Sequence, residues 1–97
     1  MSRLWIELTS DSGRAESIEI GIRRDTVELR WAGRSVGAVV REDLLSWLSG
    51  DDQRTDPLCA DEVMWTRDSP DGITLVVARS GSWLLSLEAL DELRRRL

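Results

Sequence analysis

The chain of 97 residues contains no histidine, tyrosine or phenylalanine, and no lysine or asparagine occurs anywhere along it. Each absence removes a class of chemistry. Without histidine there is no side chain that ordinarily exchanges a proton near neutral pH. A serine–histidine hydrolase and a histidine-ligated zinc site are excluded with it. Gly33-Arg34-Ser35-Val36-Gly37 has the spelling of a nucleophile elbow. That elbow needs a helix after the serine and a histidine elsewhere. Here strand-like sequence lies on both sides, so the segment reads as a hairpin. Cys59 is the single cysteine, which rules out an internal disulfide. No histidine or basic neighbour stands beside it to activate the thiol. Asp51, Asp52, Asp56 and Asp61 crowd one stretch, but Pro57 interrupts them and their spacing is not that of a calcium loop. They read as a solvated acidic loop. No glycine pattern suited to cradling phosphate is present, and no carboxylate pair stands out against an apolar background. The expectation is a protein with no cofactor, no metal, no evident small-molecule substrate and no catalytic activity.

Long apolar runs are missing too. None approaches the roughly 18 residues needed to span a bilayer. Glu7 arrives too early for the apolar segment of a signal peptide. A cytoplasmic protein is expected. All 13 basic residues are arginine. That bias, with the missing residue types, suggests the codon usage of a high-GC bacterium such as an actinobacterium. It also weakens any argument that arginine was chosen over lysine for paired contacts.

What is present is sufficient for a folded domain: 41% hydrophobic residues is well above what disordered chains carry. The net charge of −5 is unevenly spread. Residues 1–48 carry 7 arginines against 8 acids, residues 49–62 carry 1 against 5, and residues 63–97 carry 5 against 5. The excess therefore sits in the stretch 49–62.

The dominant pattern has a period of two. Leu4, Ile6 and Leu8 alternate with Trp5, Glu7 and Thr9, and the same alternation runs through Ile18–Ile22, Val27–Trp31, Ile73–Val77 and Trp83–Leu87. Val36–Val40 and Val63–Arg67 are weaker candidates. Such alternation marks strands with one face on a core and one on solvent. Turn-forming residues fall between the runs, at Ser10–Gly13, Arg24-Asp25, Ala32–Ser35, Ser69–Gly72 and Ser80-Gly81. This spacing predicts antiparallel hairpins.

Helical spacing appears twice. Leu44, Trp47 and Leu48 share a face in a segment that starts near Glu42 and Asp43 and exits at Gly50. Leu90, Leu93 and Leu97 do the same at the end of the chain, with Ser86 placed to cap and Leu85 and Leu90 placed as a hydrophobic staple. Acids lead this helix and Arg94, Arg95 and Arg96 close it, the distribution that a helix dipole favours. Asp91–Arg95 and Glu92–Arg96 are available as ion pairs one turn apart.

Shifted by 46 positions, the chain aligns with itself without a gap: Val27 meets Ile73, Leu29 meets Leu75, Val39 meets Leu85, Leu44 meets Leu90 and Trp47 meets Leu93. The expected fold class is α+β: a mostly antiparallel sheet of six to seven short strands with two amphipathic helices. The alignment suggests a duplicated unit of three strands and a helix, residues 16–50 and 62–97, joined by the acidic loop 49–62 within a single domain. Strands that lead into an amphipathic helix through the "LLSLEALDEL" of residues 84–93 resemble the Whirly-type family of single-stranded-DNA-binding proteins. The resemblance covers about fifteen residues and the order of elements. It implies a nucleic-acid-binding sheet face that is basic in that family, whereas this chain is acidic and lacks lysine.

Tryptophan carries the remaining signal. Trp31, Trp47 and Trp83 fall on expected core faces. Trp5 falls on the face opposite Leu4, Ile6 and Leu8, where tryptophan serves as an interface anchor. With Trp65 and Val76 it forms the candidate contact set. The function expected from these residues is a small non-catalytic interaction protein, acting as a homodimer or within a regulatory complex. The alternative is a single-stranded nucleic-acid-binding module in which Arg23, Arg24, Arg30, Arg34, Arg94, Arg95 and Arg96 hold phosphates and tryptophans stack bases. The negative net charge disfavours that alternative.

Overall fold

Alternation of apolar and polar residues folds into strands at eight places. The computed structural model describes residues 2–49, 57–69 and 72–97. In chain order these form β1 (Ser2–Ser10), β2 (Ala15–Ile22), β3 (Thr26–Trp31), β4 (Arg34–Val40), α1 (Arg41–Ser49), β5 (Leu58–Ala60), β6 (Val63–Ser69), β7 (Gly72–Val77), β8 (Gly81–Leu85) and α2 (Leu87–Arg96). The class is α+β and every strand pairing is antiparallel. The strand number corrects the expected six to seven. The added strand, β5, lies inside the stretch read as an acidic loop. Its three residues are too few to show a period, and only pairing with β6, Leu58 opposite Trp65 and Ala60 opposite Val63, holds them extended. Arg34 and Ser35, read as part of a turn, already belong to β4. The hairpin before them needs just two residues, because Ala32 and Gly33 both take positive φ, 52° and 81°. That is the turn geometry whose twist matches the flanking strands.

The sheet runs β4-β3-β2-β1-β8-β7-β6-β5. Hairpins link neighbours within each half, and the two halves join where β1 pairs with β8 through Leu8–Leu85, Thr9–Leu84 and Ser10–Trp83. Its outer strands then return to one another. The Glu62 N–H donates to the Val36 carbonyl at 3.0 Å, so the sheet curls into a nearly closed barrel. Curling hides most of the strand edges that a flat sheet would expose.

The concave side holds one continuous apolar core. Leu4, Ile6 and Leu8 of β1, Ile18, Ile20 and Ile22 of β2, and Ile73, Leu75 and Val77 of β7 all point into it. Trp65 is the largest side chain wholly buried there. Both helices seal this core, α1 through Leu44, Trp47 and Leu48, α2 through Ala89, Leu90 and Leu93. Each such aliphatic side chain, fully buried, contributes about 1.5–3 kcal/mol before entropic costs. At the start of α2 the Ser86 hydroxyl accepts the Ala89 N–H at 3.1 Å, and Leu85 and Leu90 are both buried, as a cap with its staple requires.

The order of four strands and a helix occurs twice. β3 begins at Thr26 and β7 at Gly72, and α1 begins at Arg41 and α2 at Leu87, each 46 positions on. The β1–β2 hairpin turns through residues 11–14, whereas the β5–β6 hairpin uses only Asp61 and Glu62, so the spacing changes ahead of β2 and β6. Gly50, the acidic residues Asp51, Asp52 and Asp56, and the turn residues Pro70 and Asp71 lie outside the described residues.

Candidate functional site

The apolar side of the sheet faces inward, and its convex side has two characters. Over β1, β2 and β3 the outward residues include three that pair by charge, Arg3, Glu19 and Glu28, beside the uncharged Trp5 and Thr9. Arg3 meets Glu19 at 3.6 Å, and Glu28 receives both Arg30 at 3.3 Å and Arg23 at 3.9 Å. Over β6, β7 and β8 the outward cross-strand neighbours are Met64–Val76, Thr66–Thr74, Thr74–Leu84 and Val76–Ser82. None of these is charged. Val76 is half-buried among them, and Leu84 is 50% exposed beside Thr9 at the seam with β1.

The three residues expected to form a contact surface therefore part company. Trp5 stands 65% exposed on the outside of β1. Val76 lies on the outward face of β7. Trp65 is corrected to a core residue, with an exposure of 0%. Parity within β6 decides this: Val63 and Trp65 share the inward face, and Met64 takes the outward one. Leu84 and Leu87, at 50% and 61% exposed, belong to the surface and were not singled out by the sequence. For Leu84 the signal existed, since it alternates with inward Trp83 and Leu85. The alternation through Trp83–Leu87 puts Leu87 on the inward face, and this is corrected: β8 ends at Leu85, and Leu87 instead opens α2 and stands on the surface.

The seven arginines of the nucleic-acid alternative are not gathered on one face. Arg23 and Arg30 flank Glu28, and Arg30 also donates to the Gly33 carbonyl at 3.0 Å. Arg34 pairs with Glu62 across the barrel closure. Arg95 and Arg96 both engage Glu92. Arg94 reaches Asp91 at 3.8 Å and donates through Nε and Nη2 to the Leu48 carbonyl at 3.2 and 2.8 Å. Arg24 has no such partner among the described residues. It borders an open hollow of about 290 Å3 with Asp25, Arg41, Glu42 and Leu97, where both signs of charge mix.

Arg94 belongs to a reciprocal arrangement. The last carbonyls of a helix have no partner within the helix. At the end of α1, Arg94 takes the Leu48 carbonyl and Arg67 takes that of Trp47, with the Arg67 guanidinium 4.8 Å over the Trp47 ring. At the end of α2, Arg41 takes the carbonyls of Arg96 and Leu97, each at 3.2 Å. Each helix thus supplies an arginine that satisfies the other's end. The ion pairs expected along α2 form in part: Glu92–Arg96 is present, whereas Asp91 turns to Arg94 instead of Arg95. Arg94→Ala is therefore expected to lower stability by about 1–2 kcal/mol in urea unfolding, as charge-assisted bonds to the Leu48 carbonyl are lost. Arg95→Ala, which breaks only a surface pair, stays within about 0.5 kcal/mol of the parent.

No family model, curated protein or solved structure matches the chain. Among the described residues, no group of three or more histidine, cysteine, aspartate and glutamate side chains is placed to hold a metal. No helix there is long and apolar enough to cross a membrane. Cys59 is exposed on β5 and unpaired. The large apolar side chains that stand on the surface are Trp5 of β1, Val40 of β4, Leu84 of β8 and Leu87 of α2, and Trp5 is the most exposed of them.

Proposed function

We propose that this protein is a small non-catalytic binding module that works through a protein–protein interface centred on Trp5. The carrying observation is the 65% exposure of Trp5 on a face where its neighbours in sequence, Arg3 and Glu7, are also exposed. Tryptophan is costly to leave in water and is enriched among the few residues that dominate binding energies. Leu84, opposite Thr9 where β8 meets β1, adds exposed apolar surface, and its outward neighbours Thr74, Val76 and Ser82 carry no charge. The arginine distribution supports this reading over nucleic acid. Six of the seven arginines already have a carboxylate or a carbonyl as partner, so a phosphate backbone would have to displace those partners.

Affinity capture tests the reading. The immobilised chain and its Trp5→Ala variant are exposed to a lysate of the source organism, and retained proteins are compared by mass spectrometry. Retention of a partner, whether another protein or further copies of the chain, is expected for the parent and is expected to fall at least tenfold for Trp5→Ala (about 1.4 kcal/mol). Identical sets and amounts from both would refute a Trp5-centred interface.

A further inference from the structure

One end of the barrel breaks the pattern that builds it. The inward row of β2 runs Glu16, Ile18, Ile20 and Ile22, so a carboxylate stands where the alternation calls for an apolar side chain. Glu16 lies opposite buried Leu8 of β1, which places it on the core side of the sheet. Its side chain is only 27% exposed. Two tryptophans stand at the same end. Trp83 of β8 lies opposite Ser10, the last residue of β1, and Trp31 is the last residue of β3. Two strands, β1 and β2, separate β8 from β3 in the sheet. The two rings nevertheless meet, with centroids 4.5 Å apart and planes tilted by 48°. They touch across the mouth of the barrel, above the core. Departures from the local pattern of this kind concentrate at functional sites.

The carboxylate is held in place without being neutralised. The Trp83 indole N–H donates to Glu16 Oε2. The other oxygen, Oε1, has Arg14 Nε at 4.0 Å, beyond hydrogen-bond reach, and the Arg14 side chain is 79% exposed. Trp31 is half-buried and borders an open hollow of about 340 Å3 with Glu16, Ser17 and Ala32. Glu16 also borders a second hollow, of about 310 Å3, with Asp11, Arg14 and Trp83. The charged residues around the two are Asp11 and Glu16 against Arg14, so the recess is negative as well as aromatic. Such a recess suits a cation. A calcium ion would need six or more oxygens, and no group of three or more metal-binding side chains occurs among the described residues. A guanidinium meets the geometry better. It is flat, so it stacks on an indole ring while the N–H groups in its plane reach a carboxylate. The fold makes the stacked half of this arrangement itself, where the Arg67 guanidinium lies 4.8 Å over the Trp47 ring.

We propose that this barrel mouth binds a guanidinium group, which lies against Trp31 and donates its N–H groups to Glu16, while Trp83 holds that carboxylate in position. The site does not use Trp5 and goes beyond the Trp5-centred interface. A small guanidine compound and an arginine side chain of a partner protein present the same group, and the same contacts serve both.

Heteronuclear NMR of the indole N–H groups tests it. The Trp83 signal, identified by its loss in Trp83→Phe, is expected to move saturably as methylguanidinium is added at constant ionic strength, with a dissociation constant in the millimolar range. The signals of Trp5 and Trp65 are expected to stay in place. Methylurea, which has the same shape without the charge, is expected to leave Trp83 unmoved. Glu16→Gln keeps an acceptor for the Trp83 N–H and removes the charge, and is expected to weaken binding at least about fivefold. Trp31→Leu keeps apolar packing and removes the ring, and is expected to weaken it at least about threefold. A Trp65 signal at its parental position shows that the core of each variant is intact. A capped glycine-arginine-glycine tripeptide carries the same group within a peptide. Binding about tenfold tighter than that of methylguanidinium assigns the site to a partner's arginine, and equal binding assigns it to a small ligand. No saturation below about 100 mM, equal binding of methylurea, or affinities that ignore Glu16→Gln or Trp31→Leu overturn the inference.

Discussion

Replacing Trp65 with alanine is expected to lower folding stability by about 3–5 kcal/mol, the cost of a large cavity in a packed core. Domains of this size are stable by only about 5–15 kcal/mol in total, so the variant should approach the unfolding threshold. Trp65 is wholly buried, at 0% exposure, on the inward face of β6. Its cross-strand neighbours are Leu58 on one side and Leu75 on the other. Removing the indole withdraws contacts from both. Trp65→Phe separates packing from polarity. The Trp65 indole N–H is buried without a hydrogen-bond partner among the described residues. Losing it relieves an unsatisfied donor, so phenylalanine should cost about 1–2 kcal/mol, well below the alanine value. The contrast lies in Trp83, whose indole N–H donates to a Glu16 carboxylate oxygen, and where the same change gives up a charge-assisted bond. Urea unfolding followed by circular dichroism gives all three values. Equal losses for phenylalanine and alanine at position 65 would mean that the indole N–H does have a partner.

Gly37→Ala is expected to cost about 1–3 kcal/mol and to open the barrel where its two outer strands meet. A Cβ at position 37 would lie 2.5 Å from the Ala60 carbonyl oxygen and 3.4 Å from a Val63 methyl. The first contact is with backbone and cannot be relieved by rotating a side chain. β4 and β5 must separate, and the nearby bond from the Glu62 N–H to the Val36 carbonyl must lengthen with them. Hydrogen exchange reads this directly: the Glu62 amide should lose protection in Gly37→Ala, while the Ser10 amide, bonded within the β1–β2 hairpin, keeps its own. Unchanged protection at Glu62 would show that the closure tolerates the methyl group.

The surface arginines illustrate how composition can mislead. Three arginines at the end of a chain suggest a grip on phosphate. In the fold, Arg94 completes the last turn of the other helix and Arg95 and Arg96 share Glu92. The dipole argument placed them correctly at the end of a helix, but nothing in the local pattern indicated that α1 would end beside them. Trp65 shows the same limit from the other side. Alternation assigned it to one face of β6 and Met64 to the other. Which face pointed inward depended on which strands came to lie alongside.

Period-two patterning is a local property, because successive side chains of any strand point to opposite sides. For that reason the antiparallel α+β class, most of the strands, both helices, the Ser86 cap and the outward position of Trp5 were already legible in the residues. β5 was not, since three residues show no period. Strand order was not legible either, because pairing of β1 with β8 joins residues that are far apart in the chain. That pairing, with Leu8 opposite Leu85 and Thr9 opposite Leu84, is what joins the two halves of the sheet. Side-chain direction is set by the chain's own geometry, whereas strand order exists only in relation to neighbours, and only the tertiary structure supplies them.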